Sequence, residues 1–215
     1  LEDLPGITSD PFVVMNVDKE DSLGWAKLTT GDDEVMLGTA AGQLIRFKED
    51  TVRPMGLPAA GVMGIKLANE ADGVISMELA APDMFVWSIT DNGLAKATPI
   101  DEYPVKGRYG QGVVNVRLPQ DAAEVVAVVV ATERTELLVK TALGSTRKVR
   151  VDKTTIGRRS IKPRSVVSVG ERNQITGAVQ MTERPEVEEE DEDTAVPQQL
   201  SFLDENRPRK RSKKS

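Results

Sequence analysis

The same four-residue phrase occurs three times along this chain at a constant spacing. Thr39-Ala40-Ala41-Gly42, Thr90-Asp91-Asn92-Gly93 and Thr141-Ala142-Leu143-Gly144 stand 51 residues apart, each after a short apolar run and before a segment with a basic residue. Two further landmarks keep step: Gly61-Val62 with Gly112-Val113, and Asp72-Gly73-Val74-Ile75 with Ala123-Glu124-Val125-Val126. A strand-rich period of about 40–50 residues marks propeller-like arrays, whose units cannot bury their apolar faces alone. Such arrays present a surface more readily than a catalytic pocket.

Within one repeat the alternation of side chains predicts four strands. Glu34-Val35-Met36-Leu37-Gly38-Thr39 and Gln43-Leu44-Ile45-Arg46-Phe47-Lys48 form a hairpin around the turn Ala40-Ala41-Gly42, and residues 62–67 and 74–79 supply two more. Gly42, Gly93 and Gly144 fall where the turn needs a positive φ, which glycine adopts without steric cost. No window of 11 or more residues carries a helical period, so the predicted core is all-β. Residues 10–15 and 22–28 match the second half of a repeat shifted back by 51. The expected organisation is therefore a partial blade over 1–32, three four-stranded blades near 33–80, 83–131 and 136–182, and a tail over 183–215. Trp25, Trp87, Phe47 and Phe85 are expected in blade cores. Three and a half units predict an open arc.

Composition removes whole classes of chemistry. Cysteine and histidine are both absent, so disulfides, Cys/His zinc sites, Ser-His-Asp triads and Cys-His dyads are excluded. No P-loop and no Gly-x-Gly-x-x-Gly after a strand occurs. The segment itself is expected to be non-catalytic and to need no metal or cofactor. No stretch approaches the ~18–20 consecutive apolar residues of a membrane span, and no secretory signal opens the chain, so no membrane partner is expected. Opening on Leu1, the chain is expected to be a fragment or processed product of a longer protein.

The overall charge of −6 hides a sharp division. Residues 1–103 hold 18 acids against 7 bases, net −11, whereas residues 104–182 hold 14 bases against 6 acids, net +8. Eight acids and one Arg then fill 183–193, and Arg207-Pro208-Arg209-Lys210-Arg211-Ser212-Lys213-Lys214 follows near the end. An acidic block without aromatics repels itself and buries nothing, so the tail is expected to be disordered.

A protein that holds duplex DNA by its backbone needs Lys and Arg along a track, because neutralising phosphates releases counterions. Arg46, Lys96 and the pair Arg147 and Lys148 each follow the repeating glycine by three or four residues, which sets a basic group at one place on each blade. Lys48, Arg53, Lys106 and Arg108 add to the candidate track, and Lys140, Arg150, Lys153, Arg158, Arg159, Lys162 and Arg164 concentrate it in the last repeat. No recognition helix is predicted, so the expected contacts position the duplex and do not read its bases. A protein-interaction propeller without DNA binding remains the alternative from these residues alone.

The phrase Thr51-Val52-Arg53-Pro54-Met55-Gly56-Leu57-Pro58-Ala59-Ala60-Gly61-Val62-Met63-Gly64-Ile65-Lys66-Leu67 resembles a blade of a known family, and so does Asn92-Gly93-Leu94-Ala95-Lys96-Ala97-Thr98 followed by Glu102-Tyr103-Pro104. Ile156-Gly157-Arg158-Arg159-Ser160 and the acidic tail continue the likeness. Residues 10–182 resemble the C-terminal domain of DNA gyrase A, of the type IIA topoisomerases. The resemblance implies a β-pinwheel, a six-bladed relative of the propeller whose blades exchange strands, with DNA bent around a basic outer rim. It implies as partners duplex DNA, the rest of gyrase A, and gyrase B, which binds ATP. ATP and magnesium would serve other parts of an ATP-hydrolysing, supercoiling holoenzyme in the bacterial cytoplasm, associated with the nucleoid. The corresponding domain of topoisomerase IV is the close alternative. The family's box, Gln-Arg-Arg-Gly-Gly-Lys-Gly, has no copy here; the nearest phrase is Lys106-Gly107-Arg108-Tyr109-Gly110-Gln111-Gly112. Tyr103 and Tyr109 lie inside blade repeats and receive no DNA-cleaving role.

Overall fold

The computed structural model describes residues 11–118, 124–150, 155–170 and 172–181. The chain divides into two units, Leu1–Met181 and Thr182–Ser215, and all the described residues belong to the first. The charged tail expected over 183–215 and the cation Lys153 lie outside the described residues.

Among the described residues eleven strands form three antiparallel sheets. The first repeat supplies β1 (Glu34–Thr39), β2 (Gln43–Lys48) and β3 (Val74–Leu79). One period later come β4 (Phe85–Thr90), β5 (Leu94–Pro99) and β7 (Val125–Ala131), and one period later again β8 (Glu136–Thr141), β9 (Thr146–Arg150) and β11 (Ile175–Gln180). Two short strands, β6 (Val113–Val114) and β10 (Arg164–Ser165), complete the set. The sheet orders are β3-β1-β2-β6, β10-β5-β4-β7 and β11-β8-β9. The described residues contain no α-helix, only short 3-10 turns, and none is long and apolar enough to cross a membrane.

The Thr-x-x-Gly phrase builds the hairpin turn. The glycine amide donates to the threonine carbonyl at 2.9 Å in Thr39/Gly42, 3.1 Å in Thr90/Gly93 and 2.9 Å in Thr141/Gly144. Each glycine has a positive φ of +83, +87 or +82°. The threonine hydroxyl secures the strand beyond: Leu94 N donates to Thr90 Oγ1 at 3.0 Å.

The turn is also where successive repeats join. Asn115 N and Val116 N donate to Gly42 O at 2.9 and 3.1 Å, and Val166 N and Val167 N donate to Gly93 O at 3.0 and 3.3 Å. β6 thus pairs with β2, and β10 with β5, each adding the outermost strand to the sheet of the preceding repeat. This corrects the blade expected to be contiguous in sequence. Residues 62–67 form no strand, and only Ile65 bridges, to Gly110. Their register equivalents one period on serve the preceding sheet through β6. Residues 11–33 likewise show one isolated bridge, Met15 with Ala59, in place of the strands expected there.

Burial follows the stacking of the sheets. One cluster of Met36, Leu44, Val86, Val125 and Val128 joins the first sheet to the second. Another, of Trp87, Ile89, Ala97, Leu137, Val139 and Val149, joins the second to the third. The second sheet is covered on both faces, which is why β7 reads Val-Val-Ala-Val-Val-Val-Ala without alternation. Trp87 and Phe47 are buried and Phe85 is partly so, whereas Trp25 is 40% exposed. Each large apolar side chain buried here stabilises the stack by roughly 1.5–3 kcal/mol.

Candidate nucleic-acid interface

The outer edge of each four-stranded sheet is set by the incoming short strand and the loop before it. In the first sheet that loop bridges β2 through Arg46 and Val105, with Lys106 N donating to Arg46 O at 2.8 Å. In the second the same contact recurs 51 residues on: Ala97 bridges Ile156, and Gly157 N donates to Ala97 O at 3.0 Å. Two basic loops therefore occupy equivalent places on successive sheets. The first carries Lys106 and Arg108; the second carries Arg158, Arg159 and Lys162 and runs into Arg164 on β10 itself.

The candidate cations separate into several groups. Lys48, Arg53, Lys106, Arg158, Lys162 and Arg164 are exposed. Arg108 and Arg159 fasten the exchanged segments: Arg108 Nη1 donates to Met63 O at 3.1 Å, and Arg159 Nη1 reaches the matching Val114 O at 3.5 Å. Arg108 Nε also donates to Thr51 O at 2.9 Å. Arg46 is committed inward. Its Nε donates to Glu34 Oε2 at 2.6 Å, and Nη1 donates to the carbonyls of Ile100 and Tyr103 at 3.1 and 3.2 Å.

Lys96 departs furthest from its expected place. It is fully buried on β5, and its ammonium donates to Arg159 O at 2.6 Å. Burial, then the neighbouring Arg159 charge, pull its pKa down to about 8, and Glu102 opposes them. Lys96 is therefore not presented to a phosphate. Alternation could not reveal this, because both faces of the second sheet are covered.

The third sheet brings a further group together. Glu136 faces Arg150, Leu138 faces Lys148 and Lys140 faces Thr146, so Lys140, Lys148 and Arg150 share one face. In the second sheet the matching positions are Phe85, Trp87, Ile89, Ala95, Ala97 and Pro99, which pack against the third sheet or beside it. The third sheet thus carries charge where its neighbour carries apolar contact. Arg150 Nε lies 2.6 Å from Glu136 Oε1 and Lys148 Nζ 3.6 Å from Oε2. The Arg150 hydrogen bond and charge hold the Glu136 carboxyl below its usual range. Arg147 points to the opposite face of β9 and donates to Ser168 O at 2.9 Å.

The candidate track left out Arg117, an exposed cation next to the strand exchange. It directly follows Val116, whose carbonyl lies over Gly42. Its position one residue past a buried Asn115-Val116 pair was the available signal. Among the described residues no group of three or more carboxylates could hold a metal ion.

A family profile described as the DNA gyrase C-terminal domain, β-propeller, matches residues 33–81 and 88–132. DNA gyrase A of Salmonella typhimurium is 35% identical over 180 residues, covering 84% of this chain and 20% of that protein. Its counterpart from Streptomyces coelicolor is 34% identical over 180 residues, covering 82% and 21%. The chain spans about a fifth of the length of the curated relatives it matches. Among solved structures, the C-terminal domain of DNA topoisomerase IV superposes with a TM-score of 0.71 at 26% identity, over 78% of this chain and 52% of that one. A DNA gyrase A C-terminal domain superposes at 0.69 with 17% identity, over 79% and 57%.

Proposed function

The chain belongs to the DNA gyrase C-terminal domain family of β-propeller folds, and from that premise we propose that it binds duplex DNA and bends it along the outer edges of successive sheets. One observation carries the reading. The loop with Lys106 and Arg108 and the loop with Arg158, Lys162 and Arg164 sit beside the outermost strands β6 and β10, one repeat apart. A duplex lying across both meets cations at intervals set by the stacking of the sheets. Bending 20–30 base pairs by 40–90° costs on the order of 1–6 kcal/mol, so distributed contacts are needed to offset it. In the described residues no helix is available to enter a groove, so binding is independent of sequence.

In this reading the module works within gyrase A, together with gyrase B, and supports ATP-dependent negative supercoiling. It is itself non-catalytic and takes no cofactor, ATP and magnesium being used by other parts of the holoenzyme. It acts in the bacterial cytoplasm, on the nucleoid. The equivalent module of topoisomerase IV is the second reading, favoured by the 26% identity and TM-score of 0.71 with that enzyme's domain.

The test is a fluorescence-anisotropy titration of two unrelated duplexes from low to physiological salt. Both are expected to bind alike, with affinity falling steeply as salt rises. The variant with Arg158, Lys162 and Arg164 changed to Glu is expected to lose affinity for both. Affinity restricted to one duplex, or unchanged in the variant, would refute the reading.

A further inference from the structure

We propose that Lys96 is a positioning residue for the DNA-contacting edge: its buried ammonium holds the Arg159 carbonyl and so fixes the loop that carries Arg158, Lys162 and Arg164. This rests on the DNA-binding reading above. A fully buried lysine is costly unless its charge is met, and among the described residues its hydrogen-bond partner is that single carbonyl, at 2.6 Å. The buried charge is not inherited from the repeat. The matching residue one period earlier is Ile45, which is buried as an ordinary apolar side chain, and one period later Arg147, which is exposed.

The two loops are therefore anchored differently. In the first sheet Arg108 supplies the fastening, with Nε on Thr51 O and Nη1 on Met63 O. In the second, among the described residues, Arg159 Nη1 makes a long 3.5 Å contact to Val114 O, and its Nε is buried without a hydrogen-bond partner. Lys96 supplies from below the hold that Arg159 does not complete. The second loop is the more basic of the two, so its conformation places more of the charge a phosphate backbone would meet.

The test compares the whole chain with Lys96→Met and with Lys96→Ile, the latter copying Ile45. Two quantities are read: DNA affinity against salt, and amide exchange at Gly157 and Ile161, whose protection comes from Ala97 O and Arg158 O. In both variants exchange at these amides is expected to accelerate. Affinity at low salt is expected to fall about tenfold, and the slope of log K against log salt to shorten by roughly 1–2. Changing Arg158, Lys162 and Arg164 to Gln should then cost far less affinity in the Lys96→Met background than in the wild type. A merely structural lysine would lower the melting temperature and leave the salt slope unchanged. A folded variant with wild-type slope and exchange overturns the proposal. A wild-type chain without DNA affinity overturns the DNA reading, and this role with it, and is told apart by that result. Should both variants fail to fold, protection factors at Gly157 and Ile161 in the wild type decide. With Arg159 and Glu102 the charges facing the Lys96 amine, burial disfavours its charged form, so protection is expected to rise as pH rises through about 8; constant protection would overturn the proposal.

Discussion

The backbone carbonyl of Val167 occupies the space in which a side chain on Gly93 would have to lie. The two residues belong to different repeats, and their contact closes the exchange of β10 onto β5. Gly42 stands in the same relation to the Val116 carbonyl, whereas nothing described lies within 4 Å of a side chain built on Gly144. All three have positive φ. Gly93→Ala is therefore expected to cost several kcal/mol, combining backbone strain with a clash against main chain. Gly144→Ala should cost about 1 kcal/mol, from the conformation alone. Urea unfolding of the two variants measures the difference; equal losses would show that the exchanged segment is not held against the turn.

The lysine beneath the second loop gives stability a distinctive pH dependence. The folded pKa of Lys96 is about 8, below its ordinary 10.5, so between these values the unfolded chain binds the extra proton. Its contribution to stability therefore rises with pH above about 8, by at most roughly 1.4 kcal/mol per unit. Tyr103, whose hydroxyl burial pushes up, opposes this only once the unfolded tyrosine ionises, near 10. Denaturation midpoints at pH 7–10 should show a rise in the wild type that Lys96→Met lacks. Parallel pH profiles would contradict it.

The outward face of the third sheet should behave as a polar end. Replacing Lys140 by Ile and Lys148 by Ala restores the residues found at Ile89 and Ala97 in the second sheet. The doubly substituted chain is expected to associate, because it exposes the apolar pattern that packs against a neighbouring sheet. Sedimentation velocity reads the outcome, and a variant sedimenting like the wild type would contradict it.

Much of the fold was legible because the period constrains it three times over. Thr-x-x-Gly marks each hairpin, and the first two strands of the repeat fall where alternation puts them. The strand exchange was not legible from the residues themselves, because a two-residue strand such as Val113–Val114 has no periodicity and its partner Leu44 lies far back in sequence. Cations were the least legible. Arg46, Lys96, Arg108 and Arg159 all look like surface charge in sequence, yet each meets a main-chain carbonyl. Carbonyl acceptors leave no trace in a sequence, so only the basic loops as groups could be read.

Bending of DNA along the sheet edges is the central claim, and end-to-end energy transfer on a short duplex labelled at both termini tests it most directly. Saturation with the wild-type chain is predicted to bring the ends closer. The variant carrying Glu at Arg158, Lys162 and Arg164 should leave them apart at equal occupancy. Binding that leaves the end-to-end distance of the duplex unchanged, or the same approach of the ends in the reversed-charge variant, would contradict the account.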